Sequence, residues 1–299
     1  MQISCCVNTY KRPKLLKKLL QSLENQKLDS TWKLEVIIVD NDELEQGRTV
    51  VEEYLKRSDL TIKYYTQPIK NISITRNKGV EMATGSLIMF IDDDGYADED
   101  WVFEMVNCLN KFNADGVFGT VLPYFDKEVS DLFIKGKFFD RPIQNTGEIS
   151  KYKRTTNCLI KRNVLMGIEG PFDPRDGLTG GEDANLFEKI QSKGAKLVFC
   201  KEGIVHDHVP FDRANIKWLS QRKFRTGRGF TSIKIKNSKN KIPATVYYFA
   251  RPAIFLPISI VVFILCLPFK IQRTRWFLNI VSNVGHLAAF TRINYQEYE

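Results

Sequence analysis

Several class-defining features are missing from this chain. Its six cysteines show no CxxC or other metal-ligand spacing, and most stand among apolar neighbours. That argues against a zinc ribbon or a disulfide framework and fits thiols packed in a reducing compartment. No GxGxxG follows the first strand-like segment and no GxxxxGKS/T occurs, which removes the dinucleotide and P-loop fingerprints. Met1 to Asn8 has no basic n-region and leads straight into a strand pattern, so no secretory signal peptide is expected. Acidic residues are absent from Lys217 to Arg292, a segment that holds 14 Lys and Arg. The 30 basic and 33 acidic residues ahead of it leave the first 216 residues slightly acidic. A basic patch confined to the C-terminal quarter and mixed with apolar runs points to an anionic membrane surface, not to nucleic acid.

What is present is an alternation of strand and helix signals. Apolar runs at Ile3–Val7, Leu34–Val39, Thr61–Tyr65, Leu87–Ile91, Asp115–Val121 and Thr155–Ile160 read as strands. Helical spacing appears over Leu15–Leu23, Val50–Leu55, Asn71–Met82 and Trp101–Phe112, and again from Glu182 through Ile190. Lys196–Cys200 and Gly203–Val205 read as two further strand pieces. Strand–helix repetition with polar strand ends predicts an α/β fold, a mostly parallel central sheet with helices on its faces. Between Pro123 and Lys153 the periodicity is lost, as expected of a loop that shapes a substrate site.

The densest signal is Leu87-Ile88-Met89-Phe90-Ile91-Asp92-Asp93-Asp94-Gly95. A buried strand gains nothing in packing by ending in three carboxylates, which repel one another and lose hydration. Alternation places Asp92 and Asp94 on one side and Asp93 on the other. Two carboxylates together at the carboxyl end of a strand suit a divalent cation; a solvated acidic turn is the alternative.

Asn8-Thr9-Tyr10-Lys11-Arg12-Pro13, Val39-Asp40-Asn41, Arg76-Asn77-Lys78-Gly79, Phe90 to Asp94 and Gly181-Glu182-Asp183 follow in this order. In this the chain resembles the inverting family 2 glycosyltransferases of GT-A fold, over roughly residues 1–230. The resemblance implies a Rossmann-like nucleotide-binding half and an acceptor-binding half. It assigns the nucleotide to Thr9, Tyr10, Arg12, Asp40, Asn41, Arg76 and Asp92, and Mn²⁺ or Mg²⁺ to Asp94 with Asp92. Asp183, beside Glu182, is the implied general base, acting on an acceptor hydroxyl. Bland readings stand beside these: Asp40 as a loop cap, Arg76 as a surface cation, Glu182 and Asp183 as helix caps. His206 and His208 are joint candidates for the metal or diphosphate, and the duplication leaves their register open.

Beyond Pro210, Asn215 to Gly229 is basic and helical in pattern, with Arg222, Arg225 and Arg228 spaced by three. These arginines resemble a family segment that would bind the donor diphosphate or a lipid phosphate, or rest on anionic lipid. The QxxRW pattern of processive synthases is absent, and Gln221 to Arg225 only echoes it, which favours transfer of a single sugar. Pro252 to Phe269 is an 18-residue stretch without charge, and Trp276 to Phe290 is a second apolar stretch. Residues 231–299 are expected to associate with a membrane as an interfacial hairpin or a pair of short spans; a buried C-terminal helix pair in a soluble protein is the alternative. The expected enzyme works on the cytoplasmic face of a bacterial inner membrane. It moves a sugar from a nucleotide-diphosphate donor, UDP-linked by preference, to a lipid-linked or glycan acceptor. A catalytically inactive nucleotide-sugar-binding protein is the alternative.

Overall fold

A computed structural model describes residues 1–178, 180–236 and 238–291. These pack as two compact units, residues 1–124 with 141–208, and residues 125–140 with those from Val209 onward.

The first unit holds one eight-stranded sheet. Its elements in chain order are β1 (Gln2–Thr9), α1 (Pro13–Glu24), β2 (Lys33–Asp40), α2 (Arg48–Leu55), β3 (Thr61–Thr66) and α3 (Ile72–Met82). Then come β4 (Leu87–Asp92), β5 (Gly95–Ala97), α4 (Trp101–Lys111) and β6 (Gly116–Tyr124). After α5 (Asp131–Gly136), which belongs to the second unit, follow β7 (Asn157–Lys161), α6 (Arg162–Met166), α7 (Glu182–Ser192) and β8 (Leu197–His208). The strand order is β3-β2-β1-β4-β7-β6-β8-β5. The first four strands are parallel, and β7 runs antiparallel to both neighbours, so the sheet is parallel on one side and mixed on the other.

The period-two pattern sorts the core. On β1, β2 and β4 the side chains of Ile3, Cys5, Val7, Leu34, Val36, Ile38, Leu87 and Met89 enter one cluster, beneath α1, α2 and α4. Cys6, Ile37, Val39, Ile88 and Phe90 enter the other, with Leu165 of α6 and Leu186, Phe187 and Ile190 of α7. Strands covered on both faces read as unbroken Val and Ile runs, as β2 does. Pro13 opens α1, whose Leu16, Leu19, Leu20 and Leu23 are buried. The two strand pieces expected near residue 200 are one 12-residue strand, β8, broken only by a register shift opposite Gly119 and Thr120.

The second unit contains α5 and three longer helices, α8 (Ile216–Lys236), α9 (Lys241–Leu265) and α10 (Lys270–Ala288). Residues 230 and 231 lie inside α8. A small core of Leu132, Phe133, Phe139, Val209, Leu219 and Leu278 joins α5 to α8 and α10.

Candidate active site

The carboxyl ends of β1, β2 and β4 meet the first turns of α3 and α7. Three acids follow Ile91, but β4 ends at Asp92 and a turn takes Asp93 and Asp94. Strand alternation therefore ends at Asp92, and the turn sets where Asp93 and Asp94 lie. Asp92 stands 3.7 Å from the Arg76 guanidinium. Asp93 is buried and accepts from Thr9 Oγ1 at 2.9 Å, the Tyr10 amide at 3.3 Å and Arg12 Nη1 at 2.9 Å. The same Arg12 nitrogen reaches Asp94 Oδ2 at 2.7 Å. Asp93 thus fastens the loop after β1 to the loop after β4, and Arg12 bridges two of the three acids.

Burial and the charge of Asp92 push the Asp94 carboxyl up to about 7, with Arg12 pulling it down and Asp93 and Asp207 adding to the rise. This is a pocket of hard oxygen donors short of positive charge, and it fits Mg²⁺ or Mn²⁺ better than zinc. Among the described residues no three His, Cys, Asp or Glu side chains converge as a complete ligand set, so a cation here needs further oxygens from its ligand.

The end of β2 departs from expectation. Asp40 is fully buried, and its carboxylate accepts from the Asp42 amide at 2.9 Å, the Gly47 amide at 3.1 Å and Tyr64 Oη at 2.6 Å. Those donors make it an internal clasp, the loop-capping role. Asn41 is likewise engaged, its Nδ2 donating to the carbonyls of Gln67 and, at 2.7 Å, Ile69. Asp42, passed over in the sequence, keeps a buried Oδ2 with no hydrogen-bond partner among the described residues, and Lys11 Nζ lies 4.0 Å from its Oδ1. The Asp-Asn-Asp run was the available signal; which of the two buried acids became the clasp depended on the donors Gly47 and Tyr64. Tyr10 is exposed, with the Lys11 ammonium 5.1 Å from its ring centre.

Asn71 caps α3, its Oδ1 accepting from the amides of Ser73 at 3.0 Å and Ile74 at 3.2 Å. One turn on, Arg76 is buried and not a surface cation. Its Nη1 donates to Glu182 Oε1, and its guanidinium lies 5.6 Å from the Phe172 ring. Burial works against the charged guanidinium, but Glu182, Asp92 and Asp183 outweigh it and hold Arg76 charged. Burial, then the charge of Asp183, raises Glu182, against the pull of Arg76. Gly180 and Gly181 have φ of +77° and +98°, the left-handed region that costs a side chain. That turn delivers Glu182 inward and leaves Asp183 half-exposed, its Oδ1 accepting from the Ala184 amide at 2.7 Å. The structure therefore gathers Arg76, Asp92, Glu182 and Asp183 into one charge cluster.

The two histidines part company. His206 Nε2 lies 2.8 Å from Asp98 Oδ1, and its ring stacks on Tyr96 at 4.5 Å, which engages it with β5 and the loop that follows. The His208 amide donates to the Asp94 carbonyl at 3.1 Å, and its ring lies 5.2 Å from that of Tyr124. Between them Asp207 pairs with Arg141, two residues that sequence reasoning did not single out. Arg222, Arg225 and Arg228 lie on α8 in the second unit, with Arg222 5.2 Å from the Trp218 ring.

The sequence profile of glycosyl transferase family 2 matches residues 4–168. The succinoglycan biosynthesis protein ExoM of Rhizobium meliloti is 29% identical over 286 residues, 95% of this chain and 91% of ExoM. The glucosyl-dolichyl phosphate glucuronosyltransferase of Haloferax volcanii is 27% identical over 204 residues, 64% of either chain. Among solved structures, the mannosyltransferase PcManGT from Pyrobaculum calidifontis, in complex with GDP-Man and Mn²⁺, superposes with a TM-score of 0.68 at 18% identity. That match covers 98% of this chain and 88% of the other, and it shows the GT-A fold. With more than half of its length matched by the family profile, the chain belongs to glycosyl transferase family 2 and is a glycosyltransferase that uses nucleotide sugars.

Proposed function

We propose that this enzyme transfers a single sugar, with inversion, from a nucleoside diphosphate donor to a hydroxyl of a lipid-linked or surface-glycan acceptor. The observation that carries the reading is Arg76, which stands between Asp92 at the donor end of β4 and Glu182, the neighbour of Asp183. In this reading Asp183, half-exposed on the first turn of α7, takes the proton of the acceptor hydroxyl. The oxygen attacks the anomeric carbon opposite the nucleotide; the new C–O bond forms as the bond to the diphosphate breaks, and the centre inverts. Glu182 does not touch the reacting atoms. Through Arg76 it orients the first turn that carries Asp183.

On the donor side, Asp94 and Asp92 would hold Mn²⁺ or Mg²⁺, with His208 the nearer of the two histidines. When bound, the ion neutralises charge on the leaving diphosphate. Tyr10 offers an exposed ring to the base, and Arg12 and Thr9 hold the loop that presents it. Asp42 takes over the acceptor role first given to Asp40, because its Oδ2 has no donor. The Mn²⁺ and GDP-Man bound by PcManGT, and the dolichyl phosphate in the name of the Haloferax relative, support a metal, a nucleotide donor and a lipid-linked acceptor.

Residues 231–299 tether the enzyme to the cytoplasmic face of a membrane, and Arg222, Arg225 and Arg228 meet a donor diphosphate or a lipid phosphate. The apolar length of α9 supports this. A panel of UDP-, GDP- and dTDP-sugars, screened for Mn²⁺-dependent protection against thermal unfolding, tests the donor reading, and anomer analysis of the product tests inversion. Failure of every donor to stabilise the protein, or a retained anomer, overturns the proposal.

A further inference from the structure

We infer that α9 does not cross the membrane but lies in its plane, with one helix face immersed in a single anionic leaflet. This rests on the membrane association proposed above and adds its geometry.

One face of α9 is packed. Pro252 and Ser259 are buried, Asn283 Nδ2 lies 3.3 Å from Ser259 Oγ, Phe263 is 6.3 Å from Phe277, and Phe249 is 5.3 Å from Phe290. The pairs run in opposite directions along the two chains, so α9 and α10 are antiparallel neighbours. The opposite face is bare and apolar: Ile254 is 60% exposed, Val261 57% and Leu265 71%, with Phe255, Ile258 and Ile264 beside them. The apolar stretch of α9 is almost entirely unburied, so it is no core helix.

The packing of α8 decides how the bare face can be used. α8 crosses α10 closely: a Cβ on Gly227 would sit 2.6 Å from the Ser282 carbonyl oxygen, one on Gly285 would overlap the Phe224 carbonyl, and Thr231 Oγ1 meets His286 Nδ1 at 2.8 Å. Nearer its start, α10 is tied to the end of α5, where Arg275 Nη2 donates to the Gly136 carbonyl at 3.1 Å. α8 also meets α9, the Phe230 ring lying 6.0 Å from that of Tyr248, so the helix that carries Arg222, Lys223, Arg225 and Arg228 is packed against the α9–α10 pair. Sinking α9 through a bilayer would draw that basic helix in beside it, at several kcal/mol for each charge brought to the hydrocarbon centre.

The flanking charges agree. Basic residues stand at both ends, Lys241 and Arg251 before the bare face and Lys270 and Arg273 after it. A spanning helix biases them to one side, whereas a helix lying in the interface faces anionic head groups along its whole length.

The test uses the full-length protein expressed in bacteria. Cys266, at the α9–α10 turn, is the one cysteine of six that is not buried, and it serves as a native reporter. The in-plane arrangement predicts that the protein sediments with membranes while Cys266 resists a membrane-impermeant maleimide in intact spheroplasts and reacts after detergent. Reaction in intact spheroplasts overturns it while leaving membrane association standing. Failure to sediment with membranes, or with phosphatidylcholine vesicles containing phosphatidylglycerol, removes the underlying association as well. Ile258→Asp, placed on the bare face, should weaken binding of the purified protein to those vesicles by at least about tenfold with an unchanged melting temperature. Undiminished binding of I258D also overturns the inference.

Discussion

Arg76 and Glu182, 106 residues apart in the chain, form a buried ion pair whose guanidinium also stands 3.7 Å from Asp92. One cation therefore neutralises acids from β4 and α7 and holds the two ends of the cluster at a common point. Breaking such a pair strands charge in a poorly hydrated place. Arg76→Ala is expected to lower stability by about 3–5 kcal/mol in chemical denaturation. Glu182→Gln, which keeps shape and a hydrogen-bond acceptor, should cost far less stability but depress kcat while leaving the donor dissociation constant near that of the parent. An E182Q enzyme with full turnover would contradict the positioning role.

Asp183 and Asp94 should separate in binding and turnover. Asp183→Asn removes the proposed base without touching the donor end of β4, so donor binding by calorimetry should survive while turnover falls by roughly 100-fold or more. Asp94→Asn should instead weaken Mn²⁺-dependent donor binding.

The acids at the end of β2 make opposite predictions. Asp40→Asn converts an acceptor for two backbone amides and a phenol into a group with a misplaced donor, and should destabilise by about 1–3 kcal/mol. Asp42→Asn leaves fewer internal bonds disturbed and should show near-parental melting with weaker nucleotide binding. Equal melting temperatures for the two variants would refute the division.

Glu35 provides a pH test remote from the site. Burial raises its carboxyl, but hydrogen bonds from Lys63, Ser4 and Thr84 outweigh that and hold it down at about 2. A depressed folded-state pKa stabilises above the unfolded value near 4.5 and loses that contribution as pH falls toward 2. Glu35→Gln should therefore lose about 3 kcal/mol relative to the parent at pH 7, with the gap closing between pH 4.5 and 2 in urea titrations.

Much of the fold was legible because local patterns carry it. Period-two runs in β1, β2 and β4 announced a sheet covered on both faces, and Pro13 with Leu16, Leu19, Leu20 and Leu23 announced α1. β5, three residues long, has no pattern to read, and the two pieces of β8 looked separate because a register shift interrupts their alternation. At the site, acids at strand ends were conspicuous, but their orientation was not. The turn after Asp92 gives Asp94 to Arg12 and Asp92 to Arg76, partners that no local pattern announces. His206 and His208 looked equivalent until folding gave them different partners, Asp98 and Tyr96 for the first and Tyr124 with the Asp94 carbonyl for the second.

The amino-acid sequence by itself determined the layered α/β architecture, the acids at the mouth of β4 and the basic, acid-free stretch from Lys217 to Arg292. These depend on composition and on periods of two and 3.6 residues, which act over a few neighbours. Tertiary structure alone decided which carboxylates are clasps and which face outward, and which face of α9 is left bare. Those outcomes turn on partners such as Gly47, Glu182 and Phe224, brought close by folding across stretches of chain that no local period spans.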